Sequence, residues 1–150
     1  GCSQHEIEAM VIGGHGDTTM IPITSLAKCN NKLLTKILSE NQITEIASNT
    51  MVGGATLTKL LGTSAWYAPG ASVSYLVNAI LNDTKEMLPC SVLLDGEYGA
   101  KDLCIGVPVL IGKDGFEEVV ELDLSNKELE MFKNSIKAVK ETNSSLIGLI

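Results

Sequence analysis

Two hydrophobic periods divide the chain. Apolar clusters near the N-terminus predict short buried strands at 8–13 and 20–23, and Leu33, Leu34, Ile37 and Leu38 share one face of a short helix predicted over 31–38. Ser39 and Gln42 have capping-box spacing, in which each side chain satisfies the other residue's free backbone N–H. The helix they open carries Ile43, Ile46, Ala47, Thr50, Gly54, Leu57 and Leu61 at helical spacing. Gly53 and Gly54 would each cost it about 1 kcal/mol relative to Ala. We read them as close helix packing in preference to the approach of a cofactor or a neighbouring subunit. Pro69 and Gly70 break the pattern, and Val73, Leu76, Val77, Ile80 and Leu81 then form a stripe that predicts a core-facing helix.

Beyond that stripe the period shortens to two. Residues 90–95 predict a strand, and Leu103, Ile105, Val107, Val109 and Ile111 alternate along another. The turn at 112–115 leads into a third strand over 116–122. Pro108 lacks a ladder N–H, which predicts an edge strand or a bulge. The last helix has a second capping box, Ser125 with Glu128, and Leu124 is placed to staple Leu129. Leu129, Phe132, Ile136 and Val139 line one face of it, with Lys133, Lys137 and Lys140 on the others. Strands and helices are segregated, so the expected class is α+β with a mostly antiparallel sheet, one domain over 1–150.

Composition narrows the functions. Hydrophobic residues make up 45% of the 150, too many for a disordered chain, and no apolar run is long enough to span a membrane. A formal net charge of −7 disfavours nucleic acid and acidic lipid as partners. Cys2, Cys29, Cys90 and Cys104 lack zinc-site spacing, and we expect free thiols in a cytoplasmic protein, although two disulfides are arithmetically open. The chain shows no signal peptide and begins with Gly, so it reads as an excised piece.

The segment IGGHGDTTMIP at 12–22 carries the chemistry. It ends an apolar strand in a glycine-flanked turn that presents His15, and histidine as a residue type is suited to taking and returning a proton. With KLLGTSAWYAPGAS at 59–72 and LPCSVLLDGEYGAKDLCIGVPVLIGKDG at 88–115, this segment resembles the lactate/malate dehydrogenase family, and in particular the second half of its lactate-dehydrogenase-like bacterial malate dehydrogenases. Seven steps separate His15 from Pro22, one more than the common pattern, and the stretch 28–38 fits the family poorly.

The resemblance implies the C-terminal substrate domain of an NAD-dependent oxidoreductase interconverting malate and oxaloacetate in the tricarboxylic acid cycle. It makes His15 the proton acceptor and donor, and Gly14, Ser64, Ala65 and Pro69 lining of the substrate and nicotinamide pocket. A metal is not implied. The family's arginine and its orienting aspartate lie upstream of this motif; Asp17 is read as a turn residue and His5 as a solvated one. No G-x-G-x-x-G occurs, so NAD is expected to bind mainly to an N-terminal domain outside this chain. Homo-oligomers, dimers or tetramers, are implied, and the chain alone is expected to be inactive. Two alternatives stand: the corresponding domain of a lactate dehydrogenase, and a non-catalytic assembly module.

Overall fold

The computed structural model describes residues 2–146. The main sheet has β2 (Val11–Gly13), β3 (Met20–Pro22), β6 (Glu86–Asp95), β7 (Lys101–Gly112) and β8 (Gly115–Val119), in the order β3-β2-β7-β6 with β8 paired to β7. A small second sheet is built from β1 (Ile7–Glu8), β4 (Lys28–Cys29) and β5 (Lys32–Leu33). Every pairing is antiparallel. Among the described residues the α-helices are α1 (Leu34–Ile37), α2 (Glu40–Leu61), α3 (Tyr67–Leu81) and α4 (Asn126–Ser144). The class is α+β.

The core follows the alternation along β7. Leu103, Ile105, Val107, Val109 and Ile111 are all buried, and with Ile12, Ile21, Leu94 and Phe132 they form one cluster. Tyr98, in the turn between β6 and β7, meets the Phe132 ring edge-on at 4.8 Å. Its hydroxyl donates to the Val120 carbonyl (3.0 Å) and accepts from the Leu122 N–H (2.9 Å), which ties that turn to the segment leading into α4. Burial pushes the Tyr98 phenol above its ordinary pKa.

Several sequence expectations are corrected. The strand expected over 8–13 is two strands in different sheets, because β1 turns to pair with β4 while β2 joins β3 and β7. The helix expected over 31–38 is reduced to the single turn of α1. Ahead of it lies a β4–β5 hairpin whose turn residues, Asn30 and Asn31, both have positive φ (50° and 60°). A two-residue turn with both φ positive matches strand twist, and asparagine tolerates it. Pro108 lies on a central strand. Its carbonyl accepts from the Val120 N–H at 2.8 Å, so its missing N–H faces the same side, past Gly106, where β2 pairs. Only the edge alternative fails: the expected irregularity is present, as the register of β7 shifts against β8 between Leu110 and Ile111 and against β6 between Leu94 and Asp95.

The stripe on α3 meets the core only in part: Leu76 and Ile80 are half-buried, but Val73, Val77 and Leu81 are exposed. Gly53 and Gly54 do not serve packing within this chain, since a Cβ built on either meets nothing within 4 Å. The expectation of four free thiols also fails. Cys2 is disulfide-bonded to Cys29 with their Cα atoms 6.2 Å apart, because the β1–β4 pairing folds the first residues back along Cys29. Cys90 and Cys104 are free.

Candidate active site

β2 and β3 form a hairpin, and His15 sits near the tip of the loop between them. The base of that loop is pressed into the molecule where Gly13, at φ 97°, crosses Gly106 of β7. A Cβ on Gly106 would come within 2.8 Å of the Gly13 carbonyl oxygen, so only glycine lets β2 approach β7 this closely. The loop is then closed by its own hydrogen bonds. Gly14 N–H donates to the Thr19 carbonyl (3.1 Å), while Thr19 and Met20 N–H both donate to the Gly16 carbonyl (2.9 Å each). The Thr19 hydroxyl accepts from Gly16 N–H at 2.9 Å. Thr19 thus closes the turn that follows His15.

The remaining fixture comes from α4. Ser135 is 2% exposed and its hydroxyl reaches the loop twice, accepting from Gly14 N–H (2.9 Å) and donating to the Thr19 carbonyl (2.8 Å). Glu128, one turn from the start of α4, is likewise buried. Its carboxylate accepts from the N–H and hydroxyl of both Ser125 and Ser25, so the capping box also clamps the segment that follows β3. Burial alone would raise its pKa, but those hydrogen bonds outweigh it and hold the carboxyl below the usual glutamate value.

His15 itself is exposed and borders a concavity of about 220 Å³ with Gly14, Gly16, Thr19, Val139 and Asn143. Among the described residues, no side chain hydrogen-bonds its ring and no arginine or lysine lines this concavity. Asp17 is exposed, as is His5. The structure unites His15 with Gly14 but keeps the other expected lining residues apart. Ser64 and Ala65 lie in the link between α2 and α3, Pro69 lies in the first turn of α3, and none of the three borders the His15 concavity.

The glycine loop does not fit a dinucleotide phosphate. Such a cradle needs free backbone N–H donors, and here those of Gly14 and Gly16 are spent on Ser135, Thr19 and the loop itself. Sequence reasoning missed Ser135. Its signal was a serine at an inward position of α4, between Phe132 one turn before and Val139 one turn after.

Residues 1–146 match the family described as lactate/malate dehydrogenase, alpha/beta C-terminal domain, and the chain belongs to that family. It is 59% identical over 146 residues to the malate dehydrogenase of Bacteroides thetaiotaomicron, covering 97% of this chain and 47% of that protein. The malate dehydrogenase of Cytophaga hutchinsonii is 44% identical over 149 residues, with 99% and 47% covered. Among solved structures, malate dehydrogenase from Salinibacter ruber superposes with a TM-score of 0.92 at 41% identity, covering 98% of this chain and 48% of that one. The lactate dehydrogenase of Cryptosporidium parvum, complexed with lactic acid and nicotinamide adenine dinucleotide, gives 0.92 at 34%, covering 97% and 48%. The chain therefore spans about half the length of the relatives it matches.

Proposed function

We propose that this chain is the substrate-handling half of an oxidoreductase that interconverts malate and oxaloacetate with NAD. In this reading His15 takes the proton from the substrate hydroxyl and returns it to the ketone oxygen in the reverse direction. The observation that carries it is an exposed imidazole on a loop locked at both ends, beside a concavity. Oxidising a 2-hydroxy acid removes a hydride from carbon and a proton from oxygen, so a fixed imidazole able to accept that proton meets the second demand. NAD, when bound, supplies the hydride acceptor; the N–H groups of Gly14 and Gly16 are already engaged, which supports assigning the dinucleotide mainly to an N-terminal domain outside this chain. Malate is favoured over lactate by the names of the relatives at 44–59% identity. The likeness to the Cryptosporidium lactate dehydrogenase supports lactate as the second reading. Ser64, Ala65 and Pro69 are proposed as pocket lining in the assembled protein, which we place in the cytoplasm.

The test is His15→Asn in the whole protein, which keeps a polar side chain but removes the proton-accepting ring nitrogen. Turnover is expected to fall by about 100-fold or more, the usual scale for a general acid or base, with NAD affinity and thermal stability nearly unchanged. Normal turnover in the variant would refute the assignment.

On its own the chain is proposed to be inactive, because one base cannot orient a dianion or a nicotinamide. Micromolar NAD binding to it by calorimetry would contradict this. The exposed apolar side chains of α2, α3 and the link between them, among them Val52, Leu57, Leu60, Trp66, Tyr67 and Val77, also support self-association. A clean monomer by sedimentation at tens of micromolar, on the order of weak-dimer affinities, would count against it.

A further inference from the structure

Helical serines and threonines ordinarily return their hydroxyl proton to the carbonyl four residues back, and this chain shows the habit at Thr50, Thr142 and Ser144. Ser135 does not. Its hydroxyl leaves α4 and joins the residue immediately before His15 to the residue that closes the His15 turn. Both hydrogen-bonding capacities of the group are used, donor on Thr19 and acceptor on Gly14, so the hydroxyl is fixed in direction as well as place. Ser135 is buried and both bonds are partly shielded from solvent, which strengthens each relative to one in water. The loop also lies in packing contact with the same helix face. A Cβ on Gly13 would come within 3.0 Å of Ser135 Oγ, and one on Gly14 within 3.3 Å of Val139 Cγ2. Val139 in turn borders the concavity that holds His15. The loop's place is therefore measured from α4, with Ser135 as the polar contact.

We propose that Ser135 is a positioning residue for proton transfer: it sets where the His15 imidazole stands when substrate is bound. The proposal rests on the reading of His15 as the proton acceptor. Proton transfer needs the base within hydrogen-bond reach of the hydroxyl, and displacements of about 1 Å can cost up to about 100-fold in rate. Removing the bridge leaves the Gly14–Thr19 backbone bond in place, so the loop should loosen without being lost.

A double-mutant cycle in the whole protein separates this role from simple support of the fold. Ser135→Ala is expected to lower kcat by about 10-fold, inside that positional range, with NAD affinity unchanged. The isotope effect with substrate deuterated at the reacting carbon should rise as chemistry becomes rate-limiting. In a His15→Asn background the same substitution should cost almost nothing, because Ser135 acts only through the imidazole. If Ser135→Ala does not fold, Ser135→Cys preserves the volume with a weaker donor and acceptor, and the same cycle should show a smaller loss of the same form. Wild-type kcat in the folded Ser135 variant, or an equal loss with and without His15, would overturn the proposal. A His15→Asn enzyme of normal turnover would instead overturn the reading beneath it.

Discussion

Helices α2 and α4 begin alike and end up in opposite environments. Each opens with a serine box, Ser39 with Gln42 and Ser125 with Glu128, and each carries apolar residues at helical spacing over 22 and 19 residues. Yet α4 buries Glu128, Phe132 and Ser135 against the sheet, while α2 touches β3 and α1 and buries no residue completely. Even the boxes differ. The Glu128 carboxylate is enclosed and shared with Ser25, whereas the Ser39–Gln42 pair lies in solvent. Local sequence punctuates a helix; whether its apolar face is covered depends on the rest of the molecule.

The contrast can be broken by mutation, starting with the deepest contact. Phe132→Ala removes a fully buried ring from the core cluster and is expected to cost about 3–5 kcal/mol by denaturant titration. Leu57→Ala on α2 should stay within about 0.5 kcal/mol in this chain. Similar losses at the two sites would mean that α2 is packed in solution. The boxes give a smaller difference. Glu128→Ala strands the N–H groups of Ser25 and Ser125 and should cost about 2–3 kcal/mol. Ser39→Ala should cost only about 1 kcal/mol, the ordinary loss of an N-cap.

Two further measurements sharpen the comparison. The Glu128 carboxyl has a lower pKa folded than its ordinary 4.5 unfolded, so the stability it adds is complete above about that pH and is lost as pH falls through the folded value. The Tm advantage of wild type over Glu128→Gln should therefore shrink on acidification below that point, and a constant gap would refute the linkage. Gly53→Ala and Gly54→Ala carry a small effect of the opposite sign. With open space around each position, either should stabilise this chain by up to about 1 kcal/mol. A loss of activity or assembly from the same changes in the whole protein would locate a close approach there that this chain lacks.

The site was legible in unequal parts. His15 stood out because its glycine-flanked motif is local and contiguous. Ser135 lies 121 residues from Gly14, and nothing in α4 taken alone distinguishes a serine that locks a loop from one that bonds its own helix. Ser64, Ala65 and Pro69 were named from a motif, and the fold puts them in the α2–α3 link and the first turn of α3, away from the His15 concavity.

Sequence by itself determined what depends on near neighbours: both capping boxes, the alternation that fills the core from β7, the α+β class, and the histidine turn. These follow from hydrogen bonds and side-chain periods a few residues long. Only the tertiary structure decided how the run near residue 8 divides between two sheets, why Pro108 is tolerated in a central strand, and which helix is covered. The Cys2–Cys29 pairing and the double grip of Ser135 on the His15 loop belong with these. Each requires groups far apart in the chain to meet, and their meeting is set by the packing of sheet and helices as a whole.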